Sequence, residues 1–97
     1  MNKHKLLITK LADQDLNDLY SEGFRTWGEE QADRYYDGLL NRLESICETP
    51  LMYPAVDDIQ DGYHRSVYEK HSIYFVVQGS VVEVRAIVKR QNISSRL

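Results

Sequence analysis

Basic and aromatic residues in the C-terminal part of the chain are the ones whose side chains could carry out chemistry. They are Tyr63, Arg65, Tyr68, Lys70, His71, Tyr74, Arg85, Lys89 and Arg90. Cationic side chains could hold a phosphate and stabilise its developing charge while a histidine or tyrosine moves a proton, which would allow cleavage of RNA without a metal. The candidate catalytic residues for that reaction are Arg65, His71 and Arg85. A half-buried strand also exposes polar residues for no chemical purpose, and residue types alone favour this simpler explanation.

Metal and covalent chemistry find less support in the sequence. His4, His64 and His71 fall on different predicted elements without ligand spacing, so we expect no metal site. Cys47 lies on an apolar helical stripe, where a cysteine usually packs as a small hydrophobic side chain. None of the five glycines belongs to a phosphate-binding loop motif. We therefore expect no cofactor.

The length and composition indicate one small acidic domain over residues 1–97. The chain has 97 residues and a net charge of −3, which argues against a free-standing nucleic-acid binder. The one cysteine fits a reducing compartment. The sequence shows no signal peptide and no run of about 20 apolar residues that could span a membrane. We expect a cytoplasmic protein.

The charge is distributed unevenly along the chain. Residues 1–61 hold 13 acidic and 6 basic side chains, and residues 62–97 hold 2 acidic and 6 basic ones. The two parts therefore carry −7 and +4. Acidic solvent faces of helices account for part of the negative charge, whereas the basic part is the better candidate for a binding surface.

The hydrophobic pattern predicts two helices that are preceded by one strand and followed by three. The predicted elements are a strand at 4–9, a helix capped by Thr9 and ending at Gly28, a helix at 29–49, a loop at 50–62, and strands at 63–70, 72–78 and 81–88. Gly79-Ser80 between the last two strands predicts a type II′ turn. In the last strand, the apolar residues 82, 84, 86 and 88 are predicted to share one face. The fold class is α+β in the order β-α-α-β-β-β, with a helical hairpin packed on a small antiparallel sheet.

Several short segments resemble the ParE toxins, in the order and at the spacing of that family. They are residues 12–16 (ADQDL), 27–35 (WGEEQADRY), 39–43 with Pro50, 61–65 (DGYHR), 70–74 (KHSIY) and 84–87 (VRAI). The Trp-Gly-x-x-Gln-Ala segment from Trp27 and the His-x-Ile-Tyr segment from His71 are the most specific. The resemblance covers nearly the whole chain and implies the fold of the RelE/ParE superfamily. It also implies the toxin half of a bacterial type II toxin–antitoxin pair.

This resemblance implies two partners and a binding mode of action. A ParE toxin inhibits DNA gyrase by binding it together with its DNA, without being an enzyme, and forms a hetero-oligomer with a ParD-like antitoxin that neutralises it. The candidate residues for the gyrase contact are Lys89, Arg90, Gln91, Asn92 and Arg96. Those for the antitoxin contact are Tyr63, Arg65, Tyr68, Phe75 and Arg85, which could anchor an acidic, apolar peptide.

Two alternatives remain at the level of sequence. The related RelE branch cleaves mRNA on the ribosome, with Arg65, His71 and Arg85 as the candidates here. Residues 88–97 contain neither Tyr nor His, which argues against that nuclease activity. The third possibility is a non-toxic partner or co-repressor that no longer poisons a target.

Overall fold

The computed structural model describes residues 3–90 and contains the expected elements in the expected order. The strands and helices are β1 (Lys5–Ile8), α1 (Lys10–Trp27), α2 (Glu29–Glu48), β2 (His64–Tyr68), β3 (His71–Gln78) and β4 (Val81–Lys89), with a 3₁₀ turn at Pro50–Met52 before β2. The α+β fold class is confirmed.

The helix boundaries arise from local capping residues. The Thr9 hydroxyl accepts a 3.2 Å hydrogen bond from the N–H of Ala12 and so caps α1. Gly28 ends α1 with a φ of 92°, a conformation that favours glycine, and α2 begins at the next residue. At its other end α2 stops before Pro50, because proline excludes the helical conformation from the residue preceding it. The two helices therefore form the predicted hairpin.

The sheet has the order β1-β4-β3-β2 and is mixed, which corrects the expectation of a wholly antiparallel sheet. The pairs β2–β3 and β3–β4 are antiparallel because short turns connect them. β1 pairs parallel to β4, with Leu6 opposite Val82 and Ile8 opposite Val84. The chain reaches β4 from β1 only after the helical hairpin and two more strands, so no short turn forces these two strands to run in opposite directions.

The main core lies between the helical hairpin and one face of the sheet. Its buried side chains include Leu39, Leu43, Ile46, Ile73, Phe75, Val82 and Val84. Cys47 belongs to the same core, and burial raises the pKa of its thiol. This confirms the expectation that Cys47 is a packing residue.

A buried carboxylate connects α1 to the central strand. Oδ2 of Asp15 accepts a 3.0 Å hydrogen bond from the backbone N–H of Ile87. β1 ends opposite Val84, so no strand lies beside Ile87 on that side. Asp15 thus satisfies a donor that would otherwise be buried without a strand partner.

A β-bulge at Arg85 shifts the alternation of side chains along β4. Even-numbered residues face the helices before the bulge and the opposite side of the sheet after it. Phe75 pairs with Val84 while Tyr74 pairs with Ala86, so Arg85 has no partner on β3. Val82 and Val84 pack under the helices, whereas Ala86 and Val88 join Val56 and Tyr74 in a small cluster on the other face. The prediction that residues 82, 84, 86 and 88 share one face is therefore wrong, because alternation is reset at the bulge.

Each of the two hairpins turns through a residue with positive φ. Gly79, with a φ of 60°, opens the β3–β4 turn, and Ser80 has no positive φ, in agreement with the predicted type II′ turn. In the β2–β3 turn the corresponding residue is Glu69, with a φ of 53°. A side chain in this conformation costs about 1–2 kcal/mol relative to the right-handed region. The β2–β3 turn is thus the strained one.

Candidate functional site

Three of the candidate contact residues lie on the sheet face opposite the helices, which we call the open face. Arg65 pairs with Tyr74 across the β2–β3 ladder, and Tyr63 packs against the cluster that contains Tyr74. The Arg85 guanidinium lies 5.8 Å from the centroid of the Tyr63 ring and donates to its hydroxyl at 3.4 Å. Tyr63, Arg65 and Arg85 therefore form one aromatic and basic surface.

The positive charge of Arg85 is paired with a carboxylate within this surface. Its Nε donates to Oε1 of Glu83 at 2.6 Å, and this bond raises the pKa of the guanidinium. Arg65 has no carboxylate within ion-pair distance among residues 3–90. Arg65 is consequently the more available cation of the two.

The other two candidates for the antitoxin contact lie on the helix side of the sheet. Tyr68 is half-buried, with its ring 5.3 Å from that of Tyr35 and its hydroxyl against the backbone of Gly38. Phe75 has no exposed surface, because it lies in the main core with the His64 ring stacked on it at 5.5 Å. Phe75 is therefore a core residue that offers no contact surface in this fold.

The three candidate catalytic residues are not brought together. His71 pairs with Tyr68 on the helix side, and its Nδ1 lies 2.7 Å from the Tyr35 hydroxyl. Burial and the nearby Lys89 ammonium lower the pKa of His71. Arg85 lies on the open face, so the sheet separates it from the Tyr35–His71 pair, whereas Arg65 lines a cleft that Tyr35 and His71 also line.

The candidates for the target contact begin at the end of β4. Lys89 forms a 2.8 Å ion pair with Glu22 of α1. Arg90 is exposed, and its backbone N–H donates to the carbonyl of Lys70 at 3.2 Å. Gln91, Asn92 and Arg96 lie outside the described residues.

A cleft of about 940 Å³ opens between the α1–α2 connection and the β2–β3 turn, next to the end of β4. We call it the end cleft, and its lining includes Trp27, Tyr35, Lys70, His71, Lys89 and Arg90. Although Trp27 has a large apolar side chain, 52% of its surface is exposed, and the Lys70 ammonium lies 4.8 Å from its ring centroid. The hydrophobic pattern misses this site because Trp27 is in the last turn of α1, where the helix tip leaves the ring partly uncovered. One feature of the sequence indicates this exposure: Trp27 directly precedes Gly28, at which α1 ends.

The described part of the chain contains neither a cluster of metal ligands nor a helix suited to a membrane. Within residues 3–90, no three His, Cys, Asp or Glu side chains lie close enough together to hold a metal ion. His64 instead donates from Nδ1 to the carbonyl of Tyr53 at 3.0 Å. Over the same range, neither helix is long and apolar enough to cross a bilayer.

Comparison with known proteins connects this fold to one family. The family model for the ParE toxin of the type II toxin–antitoxin system parDE matches residues 6–93. The chain belongs to the ParE toxin family. The resemblance in the sequence segments is thereby confirmed, and the match includes every helix and nearly all of the sheet of this ParE-family protein.

Individual relatives agree with the family assignment. Toxin ParE1 of Caulobacter vibrioides is 28% identical over 90 residues, which cover 93% of this chain and 94% of the relative. Toxin ParE1 of Mycobacterium tuberculosis is 23% identical over 95 residues, which cover 96% and 97%. A solved chain described as the chromosomal ParDE TA system from P. aeruginosa superposes with a TM-score of 0.79 at 18% identity, over 90% of this chain and 96% of that one. This last likeness shows that the two chains share a fold.

Proposed function

We propose that this ParE-family toxin inhibits DNA gyrase in the cytoplasm by binding it together with its DNA. The observation that carries the proposal is the family match over residues 6–93. The end of β4 supplies the contact surface, because Arg90 is exposed there. Cationic side chains at such a position suit a target that presents DNA phosphates.

Binding, rather than RNA cleavage, agrees better with the geometry. Catalysis by Arg65, His71 and Arg85 requires these groups to reach one phosphate. His71 is hydrogen-bonded to Tyr35 on the helix side, while Arg85 is held by Glu83 on the open face. This separation supports a toxin that is a binding inhibitor.

We also propose that a ParD-like antitoxin neutralises the protein in a hetero-oligomer and contacts the open face. Tyr63 offers an aromatic surface there, and Arg65 offers a cation without an internal carboxylate partner among residues 3–90. An acidic, apolar peptide that orders on binding would match both features. Tyr68 adds a contact at the β2 edge only if the peptide also reaches the helix side.

Supercoiling by purified gyrase tests the action on the target. We expect the wild-type protein to inhibit supercoiling and Arg90→Glu to inhibit it at least several-fold less, because the substitution repels DNA phosphates. Lys10→Glu is the matched control, since Lys10 is an exposed cation at the other end of α1. Unimpaired supercoiling combined with new cleavage sites in translated messages would reject the proposal in favour of a ribonuclease.

A further inference from the structure

The end cleft combines an apolar floor with a charged rim. The buried lining residues include Leu19, Gly23 and Ala32, at the point where the two helices approach each other, together with Ser72 of β3. Its volume of about 940 Å³ falls within the range of roughly 300–1,000 Å³ that is typical of small-molecule sites. The cleft is thus large enough for a ligand with both a planar and a charged part.

The positive charge at the rim is only partly balanced, because four cations line the cleft with two carboxylates: Arg65, Lys70, Lys89 and Arg90 with Glu22 and Glu69. Lys89 is paired with Glu22, but Lys70 and Arg90 have no carboxylate within ion-pair distance in the described part of the chain. The backbone hydrogen bond between Arg90 and Lys70 holds these two residues side by side at the mouth. Two adjacent cations without a carboxylate partner in this part of the chain favour a bound anion.

Aromatic surface lies directly beside these cations. Trp27 is 52% exposed in the wall of the cleft, and the Lys70 ammonium lies 4.8 Å from its ring centroid. A nucleobase stacks on such an exposed ring with little sequence preference. An exposed tryptophan next to two cations that have no carboxylate partner among residues 3–90 therefore matches the two halves of a nucleotide.

We propose that the end cleft binds a nucleoside phosphate, with the base against Trp27 and the phosphate between Lys70 and Arg90. Two kinds of ligand present a nucleoside phosphate: a free nucleotide and a nucleotide within a DNA strand. The inference extends the proposed function, because Arg90 belongs both to the end cleft and to the proposed contact surface for gyrase. Binding is measured without gyrase, so failure of the cleft site and failure of gyrase inhibition are separate results.

Fluorescence of Trp27 reports on the site directly, because Trp27 is the one tryptophan of the chain. The purified protein is titrated with AMP, adenosine, inorganic phosphate and a single-stranded oligonucleotide that carries a 5′ phosphate. We expect AMP to change the fluorescence in a saturable way and adenosine to bind at least tenfold more weakly, since it cannot form the charge-assisted hydrogen bonds. Inorganic phosphate should compete with AMP for the cations.

Charge-removing variants assign the effect to the cleft. Lys70→Ala and Arg90→Ala should each weaken AMP binding by roughly tenfold, whereas Lys10→Ala should leave it unchanged. Circular dichroism confirms that each variant is folded. Saturable binding of the oligonucleotide but not of AMP would support the site and identify a DNA strand as its source.

Three results would overturn the inference. One is the absence of any saturable change in Trp27 fluorescence and in amide chemical shifts around the cleft with all four probes. Another is equal weakening by Lys10→Ala and Lys70→Ala, which would show attraction to overall charge rather than to a site. The third is adenosine that binds as tightly as AMP, which would exclude the phosphate contact.

Discussion

The Tyr35 hydroxyl lies 2.7 Å from Nδ1 of His71 and so connects α2 to the first residue of β3. The same oxygen accepts a 3.3 Å hydrogen bond from the N–H of Lys70 and lies 3.3 Å from the carbonyl of Tyr68. One half-buried hydroxyl therefore holds the β2–β3 turn, and with it Lys70, against the helical hairpin.

Removal of this hydroxyl should loosen the turn. We expect Tyr35→Phe to lower the free energy of unfolding by about 1–2 kcal/mol, because it leaves the groups of the turn without their partner. Urea unfolding measures the change. Tyr36→Phe is the matched control, since the Tyr36 hydroxyl forms no hydrogen bond within residues 3–90. An equal loss in both variants would contradict the role of the Tyr35 hydroxyl.

The lowered pKa of His71 predicts a stability that falls in mild acid. Burial is the main cause of the shift, and the Lys89 and Lys70 ammonium groups add to it against the opposing carboxylates of Glu22 and Asp15. The unfolded chain takes up a proton near a pH of about 6.5, whereas the folded chain does so only at lower pH. Stability should therefore decrease as the pH falls through the window just below about 6.5, because the unfolded state binds more protons there.

Thermal unfolding between neutral pH and mild acid tests this linkage. We expect His71→Gln to flatten the pH dependence in that window and Tyr36→Phe to retain it. A His71→Gln variant with the wild-type pH dependence would show that His71 does not titrate differently in the folded state.

Asp15 should be the most sensitive polar residue of α1. We expect Asp15→Ala to destabilise the protein by about 2–3 kcal/mol, because the N–H of Ile87 loses its acceptor in the core. Asp18→Ala is the control, because the Asp18 side chain accepts a hydrogen bond from Gln14 at the exposed surface, and it should cost about 0.5 kcal/mol or less. Chemical denaturation compares the two, and similar losses would contradict the role of Asp15.

The strained β2–β3 turn offers a stabilising change. Glu69→Gly should raise the free energy of unfolding by about 0.5–1 kcal/mol, since glycine adopts the positive φ of 53° without a steric penalty. The control is Glu48→Gly in the last turn of α2, where glycine should lower the free energy of unfolding. Glu83→Gly is unsuitable as a control, because it would also remove the ion pair with Arg85. A decrease in the midpoint of thermal unfolding for Glu69→Gly would contradict the strain.

Glu22 limits the charge of the end cleft. Glu22→Gln releases Lys89 from its ion pair and should tighten AMP binding several-fold. The same change should alter stability by about 0.5 kcal/mol or less, because the side chains of both partners are nearly half exposed. Trp27 fluorescence measures the affinity, and weaker AMP binding by Glu22→Gln would contradict the placement of the phosphate.

The sequence predicts those parts of the fold that depend on neighbouring residues. The Thr9 cap, the break at Gly28 and the stop before Pro50 are local signals, and all three are found in the structure. The direction of β1 depends on its pairing with the sequence-distant β4, and the bulge at Arg85 depends on the register of β4 against β3, so the periodicity of one strand cannot reveal either feature. The bulge in turn decides which apolar residues of β4 join the main core.

The positions of the candidate contact residues likewise depend partly on local pattern and partly on tertiary packing. Alternation along β2 alone separates Tyr68 from Arg65, because positions of different parity face opposite sides of a strand. Phe75 is a strand residue of suitable chemistry, but its burial follows from how the sheet packs on the helices. Trp27 and Lys70 belong to different elements, and only the folded chain brings them together.

Accumulation of gyrase-cleaved DNA is the measurement that tests the central proposal most directly. Gyrase and relaxed plasmid are incubated with increasing amounts of the purified protein, and linear DNA is quantified after denaturation of gyrase. We predict a dose-dependent rise in linear DNA that Arg90→Glu reduces at least several-fold and Lys10→Glu leaves unchanged. No linear DNA above the gyrase-only level at saturating wild-type protein would contradict the proposal that this ParE-family toxin acts on gyrase.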